Sequence, residues 1–86
     1  MAFQLEILSP QKVVYRGPAD EVIAPAINGE VDLLPQHAKY TALLKDGPVT
    51  FKADGHSQMV TVNGGLAVVE NDVVTLLVQI PSEQLS

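Results

Sequence analysis

Two histidines, His37 and His56, and two aspartates near them in the chain, Asp32 and Asp54, are the side chains with the widest chemical repertoire. Proton transfer and metal ligation both draw on such residues, but only at spacings that make them converge. A helical metal pair sets two histidines four residues apart, whereas these two fall in different loops. No G-x-S-x-G elbow supplies a strained serine, and with no cysteine there are neither thiolate ligands nor disulfides. Gly64-Gly65 leads into a strand pattern and lacks the G-K-[ST] continuation of a phosphate loop, so it reads as backbone freedom. A lipoyl or biotinyl carrier presents its lysine as D-K-A or M-K-M. Here Lys45-Asp46-Gly47 runs in the reverse order and Met59 has no lysine beside it. The residues therefore assign no catalytic, cofactor-binding or metal-binding position. His56, next to Gly55, reads as a solvated turn residue. His37 follows a strand-ending Pro35 and precedes Ala38, which holds it at the surface. That placement suits contact with a partner and equally suits capping of its own loop.

The elements that carry these residues are strands. Phe3, Leu5 and Ile7 alternate with Gln4 and Glu6, the period of a strand with one wet face. Ser9-Pro10-Gln11 reads as a turn, and Lys12 to Arg16 as a second strand ended by Gly17-Pro18. Glu21 to Ala24 is a short strand closed by Pro25. Asn28-Gly29 favours a tight connection. In the following stretch, Gly29 to Ala38, Val31 and Leu33 alternate with Glu30 and Asp32 until Leu34-Pro35 ends the ladder. Gln36 to Lys45 carries helical spacing at Tyr40, Leu43 and Leu44 but no N-cap after the proline, and reads as an extended or irregular crossing closed by Asp46-Gly47-Pro48. Val49, Phe51 and Ala53 then alternate with Thr50 and Lys52, and Asp54-Gly55 makes a hairpin turn. Val60 and Val62 lead to Asn63-Gly64-Gly65, read as another reversal. Leu66 to Val69 is apolar at every position, which predicts a central strand covered on both faces. After Asn71-Asp72, the residues Val74, Leu76, Val78 and Ile80 face inward, and Pro81 stops the strand.

Turn signals at this spacing predict an all-β fold, a two-sheet β-sandwich of about ten short strands. It occupies residues 1–81, with 82–86 a polar tail. The length, 86 residues, is that of one domain, and 47% hydrophobic residues allow a small core. Ten acids against five scattered bases give a net charge of −5, the wrong sign for nucleic acid. No apolar run reaches the roughly 18 residues of a membrane span, and the start lacks the basic segment of a signal peptide.

Several segments, taken in order, resemble one family. Leu5-Glu6-Ile7-Leu8-Ser9-Pro10 is similar to the opening strand and turn of the epsilon subunit of F-type ATP synthases, and Gly17 to the glycine that closes its second strand. Gly29-Glu30-Val31-Asp32-Leu33-Leu34-Pro35-Gln36-His37-Ala38 resembles the family's G-E-L-G-I-x-P-x-H-A. Asn63-Gly64-Gly65 resembles its S-G-G turn, and Asn71 to Leu77 its last strand. Two departures stand out. Lys39-Tyr40 replaces the Pro-Leu that commonly follows His-Ala, and Leu66-Ala67-Val68-Val69 lacks the acid often found after the glycines.

The resemblance implies a rotor subunit wedged between the gamma subunit and the c-ring, making no bond itself. It would couple proton flow to synthesis elsewhere, as a peripheral protein on the cytoplasmic face of the bacterial inner membrane. By the same carry-over, Asn28, Gly29, Glu30, Val31 and Asp32 approach the c-ring, while Ser9 and His37 approach gamma. Full-length relatives continue with a two-helix hairpin that can block rotation or bind ATP. The short form implies neither ATP binding nor that inhibition. The reading outside this family is an unrelated β-sandwich adaptor that binds protein.

Overall fold

A computed structural model describes residues 2–34 and 39–81. The strands are β1 (Phe3–Leu8), β2 (Val13–Ala19), β3 (Glu21–Ala26), β4 (Gly29–Asp32), β5 (Tyr40–Ala53), β6 (His56–Glu70) and β7 (Val73–Val78). Among the described residues these seven form one hydrogen-bonded sheet in the order β2-β1-β7-β6-β5-β3-β4. Every pairing is antiparallel except β1 with β7, which run parallel.

The sheet doubles over on itself, which makes it a sandwich. Tyr15 on β2, the first strand in that order, has its ring centroid 4.6 Å from that of Phe51 on β5, the fifth. Between the two layers lies a single apolar cluster. Phe3, Leu5 and Ile7 of β1 and Val74, Leu76 and Val78 of β7 meet Val22, Val49, Phe51 and Val62 from the opposite layer. The period-two faces read at Phe3–Ile7, Val49–Ala53 and Val74–Val78 are the faces that are buried, whereas in β2 the alternation of Val13 with Tyr15 fails, Val13 being exposed.

The strands are fewer and longer than the turn signals predicted, for a common reason. Asp46-Gly47-Pro48 and Asn63-Gly64-Gly65 bend strands without reversing them, so β5 runs for 14 residues and β6 for 15. Tyr40 to Lys45, read as a crossing, is the first part of β5. Gln79 opposes two residues of β6, accepting from the Asn63 amide at 2.7 Å and donating to the Gly64 carbonyl at 3.2 Å. Two residues against one is a β-bulge, which bends a strand and sharpens its twist. Gly65 is obligatory there, since a Cβ would stand 2.9 Å from Val78 Cα and closer still to the Leu77 carbonyl oxygen.

Three prolines lie within strands that the sequence suggests they end, while Pro35 lies outside the described residues. Pro18 lies within β2 at the sheet's edge, where a missing N–H costs no ladder bond. Pro25 lies within β3 where its pairing with β5 lapses, between Ile23 and Ala26. Pro48 falls in the same lapse on the β5 side. Asp54-Gly55 does reverse the chain, with both residues at positive φ, and so does Asn71-Asp72. The suggested tail, 82–86, lies outside the described residues.

Candidate functional site

No polar or charged side chain is buried among the described residues, so their chemistry lies on the surface. His56 is exposed at the start of β6, beside Asp54 in the hairpin turn. Among the described residues no group of His, Asp or Glu is placed to hold a metal ion. His37 lies outside the described residues.

The conspicuous surface is apolar. Directly opposed residues in neighbouring strands point to the same side of a sheet. Leu8 opposes Leu77, Leu77 opposes Leu66, and Leu66 opposes Leu43, so four strands place a leucine in one row. Beside the row's end, the Ile27 amide donates to the Leu43 carbonyl at 3.0 Å. Leu43 and Ile27 are each 56% exposed and Leu77 45%, while Leu8 and Leu66 are half-buried. The next row on this face, Glu6, Thr75, Val68 and Thr41, is mixed. Contiguous apolar surface of this kind is characteristic of interaction sites.

Each end of the strip runs into a residue group singled out from the sequence. At one end, Leu8 is followed by Ser9, whose hydroxyl is spent on its own turn. It accepts from the amides of Gln11 at 3.3 Å and Lys12 at 3.2 Å, and donates to the Lys12 carbonyl at 3.2 Å. This turn, with Leu77, Gln79 and Gly65, walls a slot of about 450 Å³. At the other end, Ile27 is followed by Asn28 and the acidic strand β4. Glu30 opposes Pro25 and Asp32 opposes Ile23, and both carboxylates are exposed, as their two-residue spacing requires. Val31, between them, turns inward and packs against the core. Ser9 and the segment Asn28–Asp32 are thus not neighbours but the two ends of one face.

The strip is not evident from the sequence pattern, although the pattern carries a signal of it. The apolar run Leu66 to Val69 predicts cover on both faces. In the structure Ala67 and Val69 are buried, while Leu66 and Val68 are only half-covered. The doublets Leu43-Leu44 and Leu76-Leu77 behave alike, one leucine in and one out. A strand apolar at both parities needs cover on both sides, and the described chain supplies it on one.

Among the described residues, an apolar interior and a surface that joins a leucine row to an acidic edge define a domain of β-sandwich type. A comparison with known families gives it a place. Residues 2–81 match the β-sandwich domain of the ATP synthase delta/epsilon chain, and the chain belongs to that family. It is 42% identical over 79 residues to the ATP synthase epsilon chain of Thioalkalivibrio sulfidiphilus, covering 90% of this chain and 56% of that one. Against the ATP synthase epsilon chain of a Synechococcus strain it is 40% identical over 78 residues, covering 91% and 58%. The chain thus spans little more than half the length of these relatives. Its fold is shared with a chain in the mitochondrial ATP synthase of Euglena gracilis, solved with OSCP, F1 and the c-ring. The TM-score there is 0.81 at 19% identity, with 90% of this chain and 50% of that chain covered.

Proposed function

We propose that this chain is a non-catalytic subunit of the ATP synthase rotor, tying the gamma subunit to the c-ring so that ion flow drives ATP synthesis elsewhere. The observation that carries this reading is the leucine row. It is an uncharged strip that begins beside Ser9 and ends beside the acidic segment Asn28–Asp32. Gamma covers the strip, with Ser9 at its margin, and His37 is assigned to the same contact through the family pattern alone. Asn28, Gly29, Glu30 and Asp32 face the c-ring, and Val31 holds their strand to the core. Two unlike surfaces on one rigid sandwich suit a part that transmits torque between two partners and makes no bond. In this reading the protein is peripheral, held at the cytoplasmic face of the bacterial inner membrane through its complex. No helix among the described residues is long and apolar enough to cross a membrane.

Charge reversal at the ring-facing edge tests this. Exposed ion pairs contribute at most about 1 kcal/mol each, so single substitutions have small effects. The double variant Glu30→Lys, Asp32→Lys weakens assembly and coupled synthesis in membrane vesicles, more at low salt than at high. Unchanged coupling at every ionic strength rules out this assignment of the edge.

A further inference from the structure

The strip is not uniform along its length. Its middle is a shallow row, but at the Leu8 and Leu77 end it deepens into the slot walled by the Ser9-Pro10 turn, Leu77 and Gln79. Two features hold the slot open before any partner arrives. The bulge sets Gln79 against both Asn63 and Gly64, and Gly65 contributes no side chain to the floor. On the other wall, the Ser9 hydroxyl bonds fix the turn. A preformed cavity spares a partner the cost of shaping it.

Charge and area narrow the occupant. Among the described residues no ionisable one lines the slot, although the chain carries a net charge of −5. An uncharged apolar side chain is therefore the complement, since a buried unpaired charge is costly. Five partly covered aliphatic side chains fall short of the roughly 800 Å² per partner of a stable interface. A second copy pairing strip to strip gains too little. A partner that also engages the flanking surfaces gains enough, and gamma does so in the function proposed above.

We propose that this slot is the anchor site of that contact, receiving one bulky uncharged side chain, aliphatic or aromatic, from the gamma subunit. The inference rests on gamma being the partner of the strip. Binding energy is then concentrated at the slot, as interface energy commonly is at a few packed anchors.

Titrating the purified 86-residue chain onto an epsilon-depleted ATP synthase complex tests it. Leu77→Asp weakens binding about thirty-fold or more, and the milder Leu77→Ala about ten-fold. Leu43→Asp, at the shallow end, weakens it about five-fold or less. Leu77→Met stays within about two-fold of the parent. Circular dichroism verifies that each variant is folded. Equal losses at Leu43 and Leu77, or none at Leu77, overturn the anchor while leaving gamma as partner. If the parent chain itself fails to bind, the partner assignment falls and the anchor with it. Self-association abolished by Leu77→Asp, in sedimentation of the chain alone, names a second copy as occupant and overturns it too.

Discussion

The hairpin of β5 and β6 has two halves with the same inner face and opposite outer faces. From Tyr40 to Leu44 and Gly65 to Glu70 the outer row carries Leu43 and Leu66, flanked by Leu77 and Leu8 of the neighbouring strands. Beyond the bulge, from Val49 to Ala53 and His56 to Val60, the outward positions are Thr50, Lys52, Ser57 and Met59, mostly polar. Both halves bury valine, leucine or phenylalanine toward the core. The inner face follows from folding alone. The outer face is free to differ, and in the function proposed above only one half is covered.

Five substitutions can break or sharpen that contrast. The largest effect belongs to the shared interior. Leu76→Ala empties a fully buried site and costs about 2–5 kcal/mol in urea unfolding of the isolated chain. A loss below about 1 kcal/mol means the layers are not packed as described. Next is the junction between the halves. Gly65→Ala drives a methyl group into the β7 backbone, for about 2–3 kcal/mol by the same measurement. Its hairpin-tip counterpart Gly55→Ala meets nothing within 4 Å and suffers only from its φ of 79°, losing roughly 1 kcal/mol. If the two glycines respond alike, the bulge is not a tight junction.

Smaller still is the direct contrast of neighbours on one strand. Leu77→Ala changes the stability of the isolated chain by less than about 1 kcal/mol, since Leu77 is already 45% exposed, yet it weakens complex assembly. Parallel losses in stability and assembly would make it an ordinary core residue. The smallest effect is expected in the polar half. Met59→Lys stays within about 0.5 kcal/mol in stability, and assembly is unaffected, because this 65% exposed side chain lies on the uncovered half. Impaired assembly there would show that both halves are covered.

What the sequence disclosed and what it withheld divide along local and non-local lines. Phe3, Leu5 and Ile7, or Val74, Leu76 and Val78, declare their buried face by alternation alone, because strand geometry is local. Asn63-Gly64-Gly65 and Asp46-Gly47-Pro48 were misread because glycine, asparagine and proline serve turns and bulges alike. Which of the two they form depends on whether the partner strand keeps pairing beyond them, and residues far along the chain decide that. The acidic pair Glu30 and Asp32 was placed correctly on one exposed face. The leucine row was hidden for the same non-local reason. Leu8, Leu77, Leu66 and Leu43 come from four separate segments, and only the registers of three strand pairs bring them into line. Ser9 was singled out through the family pattern. The structure adds that its hydroxyl shapes a wall, so its role lies in positioning the turn.

The parallel pairing of β1 with β7 has a bearing on how the molecule comes into being. Leu5 lies opposite Val74 and Ile7 opposite Leu76, so among the described residues the first strand made is joined to the sheet by the last. During synthesis the β1–β2 hairpin emerges early and can form, but its attachment to the rest waits for β7. Closing so distant a contact is slow on loop-closure grounds. Until then the growing chain carries a long β5–β6 hairpin whose β6 flank, from Gly65 to Glu70, is an open edge awaiting β7. The domain therefore completes its sheet only after Val78 has left the ribosome. A ribosome stalled before Val73 should hold a nascent chain that protease trims to the hairpins.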